Sequence, residues 1–135
     1  MRDGQTRKLA RKSGAVGIEE FLKSYRARVV LVSGPEAGTE FVCKKKRTTL
    51  GRGPGVDWVI SDASLSRQHA ALEYVDGRFR IQDLGSTNGV FVGGRAVQVS
   101  ELVHGERFEV GEQQLQLVIE LLDETPDVFE ISLEY

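Results

Sequence analysis

The sequence predicts an all-β fold, a sandwich of two antiparallel sheets with about 10–11 short strands and a tail at either end. Two observations carry that prediction. Between Ala27 and Leu122 the apolar residues come in short runs that alternate with polar ones, the period of a half-buried strand. Clusters of Gly, Pro, Asn, Asp and Ser break those runs every 8–12 residues or so, roughly the turn spacing of a sandwich. At 135 residues the chain has room for one domain with a real core, and it shows no internal repeat.

Residues 1–26 read as a basic N-terminal tail. Through residue 16, Arg2, Arg7, Lys8, Arg11 and Lys12 stand against Asp3 alone, a composition of solvated, disordered chain. Ile18, Phe21, Leu22 and Tyr25 then fall at helical spacing and predict a short helix over 17–26. Residues 27–122 read as the domain. ARVVLV (27–32) is its first strand, Ser33–Gly38 a turn and TEFVC (39–43) the second strand. Cys43 follows Phe41 and Val42 and packs as a small hydrophobe. Lys44–Arg47 is a solvated basic hairpin leading into TTLGR (48–52), and DWVI (57–60) is a short buried strand.

From His69 to Val75, Ala70, Leu72 and Tyr74 share one face, and His69, Ala71 and Glu73 the other. Val75-Asp76-Gly77 turns the chain, and RFRIQD answers with Phe79 and Ile81 inward and Arg78, Arg80 and Gln82 outward, a hairpin with one buried face. Val90–Val92 and Arg95–Val97 make another hairpin, turned at Gly93-Gly94. Glu106–Val110 alternates, and Gln113–Leu122 ends the domain with Leu115, Leu117, Ile119 and Leu121 on one face. Residues 123–135 are an acidic C-terminal tail. Its Val128, Phe129, Ile131, Leu133 and Tyr135 are apolar enough to pair as an extra strand or to dock on a partner.

Composition excludes several functions. A net charge of -2 gives no overall pull toward nucleic acid or an anionic membrane, so any basic site is local. One cysteine permits no intrachain disulfide, and with only two histidines no zinc-ligand cluster is expected. No apolar run approaches the ~20 residues of a membrane span, and the polar N-terminus lacks the apolar segment of a signal peptide. A reducing, cytoplasmic setting is the expectation. Gly51, Gly53 and Gly55 do not make a nucleotide loop, because neither the spacing nor a following Lys-Ser/Thr is present. With no nucleophile beside a base, no enzyme, catalytic residue, metal or cofactor is expected.

Three loop clusters remain: Leu50-Gly51-Arg52-Gly53, Ser64-Leu65-Ser66-Arg67-Gln68-His69 and Gly85-Ser86-Thr87-Asn88-Gly89. They offer two arginines, several hydroxyls, an amide and glycine-exposed backbone N–H groups, an inventory suited to an anion. The order Gly51-Arg52, then Ser66-x-x-His69, then Asn88-Gly89 resembles the forkhead-associated (FHA) domain, a phosphothreonine-binding module, over roughly residues 27–122. The resemblance implies an FHA-type sandwich with Arg52 and Ser66 on phosphate, Thr87 on phosphate or peptide and Asn88 on the peptide main chain. Arg67 adds a second contact. Gly51 and His69 match motif positions that hold the loops, and His104 lies in a surface turn.

Phosphothreonine suits these residue types: it carries about -1.5 to -2 charges and three acceptor oxygens, and the planar guanidinium fork meets two of them at once. Selection of the third residue after the phosphothreonine depends on loop side chains, where Ser64, Leu65, Gly85 and Ser86 carry no charge. The expected partner is a phosphothreonine-containing protein, either a Ser/Thr kinase or its substrate, and neither nucleic acid nor a membrane. The alternative is a phosphorylation-independent interaction module on the same fold. Thr6 lies about 22 residues before Arg28, and a flexible tail that long spans ~25 Å r.m.s.. A phosphorylated Thr6 can therefore reach its own site and block it.

Overall fold

The computed structural model describes residues 17–122. A helix, α1 (17–24), precedes eleven strands: β1 (Tyr25–Leu31), β2 (Glu40–Cys43), β3 (Arg47–Gly51), β4 (Trp58–Val59), β5 (Ala70–Val75), β6 (Arg78–Asp83), β7 (Val90–Val92), β8 (Arg95–Ala96), β9 (Val99–Leu102), β10 (Arg107–Val110) and β11 (Gln113–Leu121). They form a six-stranded sheet, ordered β2-β1-β11-β10-β7-β8, and a five-stranded sheet, ordered β4-β3-β5-β6-β9. Every pairing is antiparallel except that of β3 with β4, which run parallel through Leu50 beside Trp58 and Gly51 beside Val59. That pair departs from the expectation of two purely antiparallel sheets.

The alternation in the sequence becomes the core. Val29, Leu31, Leu50, Leu72, Ile81, Val90, Phe108, Val110, Leu115 and Leu117 are buried between the sheets, with Cys43 among them. Burial pushes the Cys43 thiol up to about 11, so it is a packing residue and not a nucleophile. Phe79 and Ile81 point inward as expected, while Arg78 is exposed and Arg80 and Gln82 are half-buried. Leu121 breaks its predicted pattern: it is 69% exposed because Ile119 is the last residue on that face of β11 to pack against the core. The basic run is solvated as expected, and two of its residues pair with acids, Lys45 with Asp57 at 2.8 Å and Arg47 with Glu73 at 2.6 Å.

α1 closes one end of the sandwich. Ile18 joins the core, and the Phe21 ring lies against Tyr25, Tyr74 and Phe79 at centroid distances of 5.2, 5.1 and 5.3 Å. Tyr74 and Phe79 are register partners at the turn end of the β5–β6 hairpin. At the other end of that hairpin Ala70 lies beside both Leu50 and Asp83. The exit of β3, the entry of β5 and the exit of β6 therefore meet at one edge, and the three candidate loops converge there, at the opposite end of the hairpin from α1.

Candidate functional site

His69 fastens the loops together. It is wholly buried, its Nδ1 accepts the Ser66 N–H at 3.0 Å, and its Nε2 lies 2.8 Å from the Gly89 carbonyl. An accepting Nδ1 puts the ring proton on Nε2, which donates to Gly89. One imidazole thus joins the β4–β5 loop to the β6–β7 loop and is fully occupied in doing so. Its backbone contributes two more links, the N–H to the Leu50 carbonyl at 3.0 Å and the carbonyl to the Leu84 N–H at 2.9 Å.

The β3–β4 loop is tied in through its backbone. Arg52 N–H donates to the Ser66 carbonyl at 3.0 Å and Gly53 N–H to the Arg67 carbonyl at 3.1 Å. The approach is close enough that only glycine fits at position 51, where a Cβ would stand 2.2 Å from the Arg67 carbonyl oxygen. On that frame Arg52 is exposed, and its Nε donates to the Leu65 carbonyl at 2.7 Å. The bond holds the guanidinium in place and leaves Nη1 and Nη2 without a protein partner among the described hydrogen bonds. Arg67 is also exposed, with its stem over Gly53.

Charge balance marks this end of the molecule. Arg26, Arg28, Arg47, Arg78 and Arg80 each pair with a glutamate. Arg52 and Arg67 have no acidic partner among the described residues, a condition shared by Arg95 and Arg107 elsewhere on the surface. Ser66 Oγ accepts the Thr87 N–H at 3.0 Å, which leaves the hydroxyl proton to give away. Asn88 uses one Nδ2 proton on the Ser64 carbonyl at 2.8 Å, which leaves its other proton and its Oδ1 without a partner among the described hydrogen bonds. The exposed Thr87 sits between them. All five candidate residues, Arg52, Ser66, Arg67, Thr87 and Asn88, lie on loops that meet at this one edge.

A second tier of residues braces these loops, and of it sequence reasoning singled out Ser64 but not Asp62, Gly111 or Asp57. Asp62 accepts both the N–H and the hydroxyl of Ser64, and Ser64 Oγ in turn accepts the Glu112 N–H at 2.9 Å. The hydrogen bond from the Ser64 hydroxyl, more than any other cause, holds the Asp62 carboxyl below the usual carboxylate range. Gly111, at φ 61°, completes the brace: its N–H reaches the Gly89 carbonyl at 3.1 Å, and a Cβ there would meet the Ser64 carbonyl at 2.6 Å. The spacing Asp62-x-Ser64 is that of an Asx-turn, the one signal that could have found the brace. Asp57 fixes the base of the β3–β4 loop by accepting from the Lys45 ammonium and from the Thr49 N–H and hydroxyl, and these bonds, Lys45's first, lower its pKa.

The expected specificity residues need correction. Leu65 is buried in the core, Ser64 is committed to Asp62 and Glu112, and the Ser86 hydroxyl accepts the Gly89 N–H at 2.9 Å. Of the four, only Gly85 is exposed. His104 is on the surface as expected, but its Nδ1 has a partner in the Ile119 N–H at 3.0 Å. No cluster of potential metal ligands occurs among the described residues, nor any helix long and apolar enough to cross a membrane.

Fold and loops together define a β-sandwich that gathers two exposed arginines with hydroxyl and amide side chains at one edge, and comparison with known proteins gives its family. The sequence model of the FHA domain matches residues 48–111. The chain is 35% identical over 102 residues to the glycogen accumulation regulator GarA of Mycolicibacterium smegmatis, covering 76% of this chain and 65% of that protein. It is 32% identical over 96 residues to the oxoglutarate dehydrogenase inhibitor of Corynebacterium glutamicum, covering 71% and 67%. Among solved structures, the FHA domain of a Chlamydia trachomatis protein superposes with a TM-score of 0.63 at 36% identity, covering 69% of this chain and 96% of that one. The chain belongs to the FHA domain family. It spans a little under two thirds of the length of the mycobacterial relatives.

Proposed function

We propose that the chain recognises phosphothreonine on partner proteins and acts as a binding regulator in Ser/Thr-kinase signalling, in the cytoplasm, without catalysis. The observation that carries this reading is the pair of exposed arginines without acidic partners among the described residues, set beside a serine hydroxyl whose acceptor side is already used. Arg52 takes two phosphate oxygens through Nη1 and Nη2. Ser66 donates its hydroxyl to the phosphate, Arg67 adds a second cation, and Thr87 donates to phosphate or peptide. Asn88 pairs with the peptide backbone, which needs both the donor and the acceptor it keeps. Relatives named as a regulator and as an inhibitor support a binding role over a catalytic one.

Titration with a phosphothreonine peptide library, beside threonine and phosphoserine versions, tests the proposal. Binding restricted to the phosphothreonine set is expected. Equal binding of the unphosphorylated set would point to the phosphorylation-independent module instead. Thr6, the candidate for self-inhibition, lies outside the described residues, so its role stays part of this proposal. The test is whether chain phosphorylated at Thr6 loses external peptide binding.

A further inference from the structure

Among the described residues, the five-stranded sheet ends in an open edge at β9. Asp83 N–H bonds to the Gln98 carbonyl at 2.9 Å, so Gln98 turns its backbone toward β6. Alternation along the strand then turns Ser100 and Leu102 the same way, and Val99 and Glu101 outward. No described hydrogen bond outside the sheet ladders satisfies the outward amides of Val99 and Glu101. The edge is also apolar at both ends, with Val99 45% and Val103 66% exposed. An unpaired edge flanked by exposed valines is a template for an added strand.

We propose that this chain's own residues 129–135 occupy the edge as a sixth strand, antiparallel to β9. Phe129, Ile131, Leu133 and Tyr135 alternate with Glu130, Ser132 and Glu134, the period of a strand with one apolar face. The acidic tail thus carries strand information, and the fold supplies reach and direction. β9 and β11 both run toward the α1 end: Leu102 pairs with Phe79, which packs on α1, and Leu122 N–H bonds to the Ser24 carbonyl at 2.8 Å. Near that end the Ile119 N–H meets His104, the neighbour of Val103. At roughly 3.3 Å per residue, Leu122 lies about 10 Å beyond that contact.

Phe129 follows Leu122 by seven positions, a length that reaches at most roughly 23–25 Å and allows a turn at Pro126. A chain leaving there and turning back meets Val103 first and Val99 last, which is antiparallel to β9. Side-chain chemistry selects the register. Setting Phe129 beside Val103, Ile131 beside Glu101 and Leu133 beside Val99 covers both exposed valines. A one-residue slip one way puts Glu130 directly opposite Glu101, a destabilising like-charge pair, and a slip the other way sets Glu130 and Glu134 opposite the two valines.

The full chain tests this directly. With Val99→Cys and Leu133→Cys together, mild oxidation is expected to give an intrachain disulfide at least roughly ten-fold faster than with Val99→Cys and Ser132→Cys, whose side chains fall on opposite faces. Buried Cys43 stays out of the exchange. In the otherwise unaltered chain, the Val99 and Glu101 amides should exchange at least roughly ten-fold slower than in Ile131→Pro, provided that variant still melts cooperatively. Equal rates in either comparison overturn the proposal. Protection or cross-linking that grows with protein concentration overturns it as well, because a second copy would then be supplying the strand.

Discussion

Gly51→Ala is expected to disable the site from inside the fold, without removing any group that touches a ligand. The added Cβ would stand 2.2 Å from the Arg67 carbonyl oxygen and 2.8 Å from the Ser66 carbonyl oxygen. Both obstacles are backbone, so relief requires the two loops to part by more than 1 Å, from ~2.2 Å to the ~3.5 Å of ordinary contact. Parting them breaks the hydrogen bonds from Arg52 N–H to Ser66 and from Gly53 N–H to Arg67. Two lost bonds cost about 0.5–1.5 kcal/mol each, and overpacking adds about 1–3 kcal/mol. The sum is about 2–6 kcal/mol out of the 5–15 kcal/mol or so that holds a domain together. For a domain of this size the melting temperature should fall by at least roughly 8 °C, and phosphopeptide affinity should fall with it.

Two neighbours serve as controls. At Gly53 an added Cβ meets the Arg67 Cβ at 2.9 Å and its Cα at 3.2 Å, a milder clash than at Gly51, and at Gly55 it meets nothing within 4 Å. Differential scanning calorimetry and peptide titration on the three alanine variants should rank them with Gly51 far the worst and Gly55 nearly silent. A Gly51→Ala protein that melts within a degree or two of the parent and binds peptide as well would refute the closely interlocked loop geometry.

The remaining predictions follow from the same geometry. His69→Ala removes two side-chain hydrogen bonds and opens a cavity; we expect a loss of about 3–5 kcal/mol in chemical denaturation, with NMR shifts at Ser66 and Gly89. The depressed Asp57 and Asp62 carboxyls make acid destabilising. Their contribution is present above the ordinary carboxylate range near pH 4 and lost as pH falls through the lower folded values. Asp62→Asn should flatten that part of the stability profile between about pH 2 and 5. Phe21→Ala should cost about 3–5 kcal/mol in stability yet leave the affinity of the remaining folded protein within about two-fold, because α1 lies at the far end of the hairpin.

The sandwich was legible because its core strands keep strict alternation, as in Phe79 and Ile81 on β6 or Leu115 and Leu117 on β11. β9 escaped because Val99 and Leu102 are three apart and fall on opposite faces, so VSEL carries no period-2 signal. The parallel run of β4 beside β3 depends on a crossover that no local pattern encodes. At the site, residue types and order were readable, and their wiring was not. His69 joins Ser66 to Gly89, and Ser64 joins Asp62 to Glu112, through side chain to backbone bonds between segments distant in sequence. Leu65 read as a loop residue because it sits between two serines, yet it is the anchor that plugs its loop into the core.

The measurement closest to the central claim is titration of a phosphothreonine peptide into the parent chain, Arg52→Ala and Arg95→Ala. Each charge-assisted hydrogen bond lost is worth about 1.5–3 kcal/mol, so loss of the two Arg52 contacts should weaken binding at least roughly 150-fold. Arg95→Ala, which removes an arginine away from the loops that likewise has no acidic partner among the described residues, should bind as the parent does. Equal weakening by the two substitutions would reduce the interaction to general electrostatics, and no weakening by Arg52→Ala would place the phosphate somewhere else.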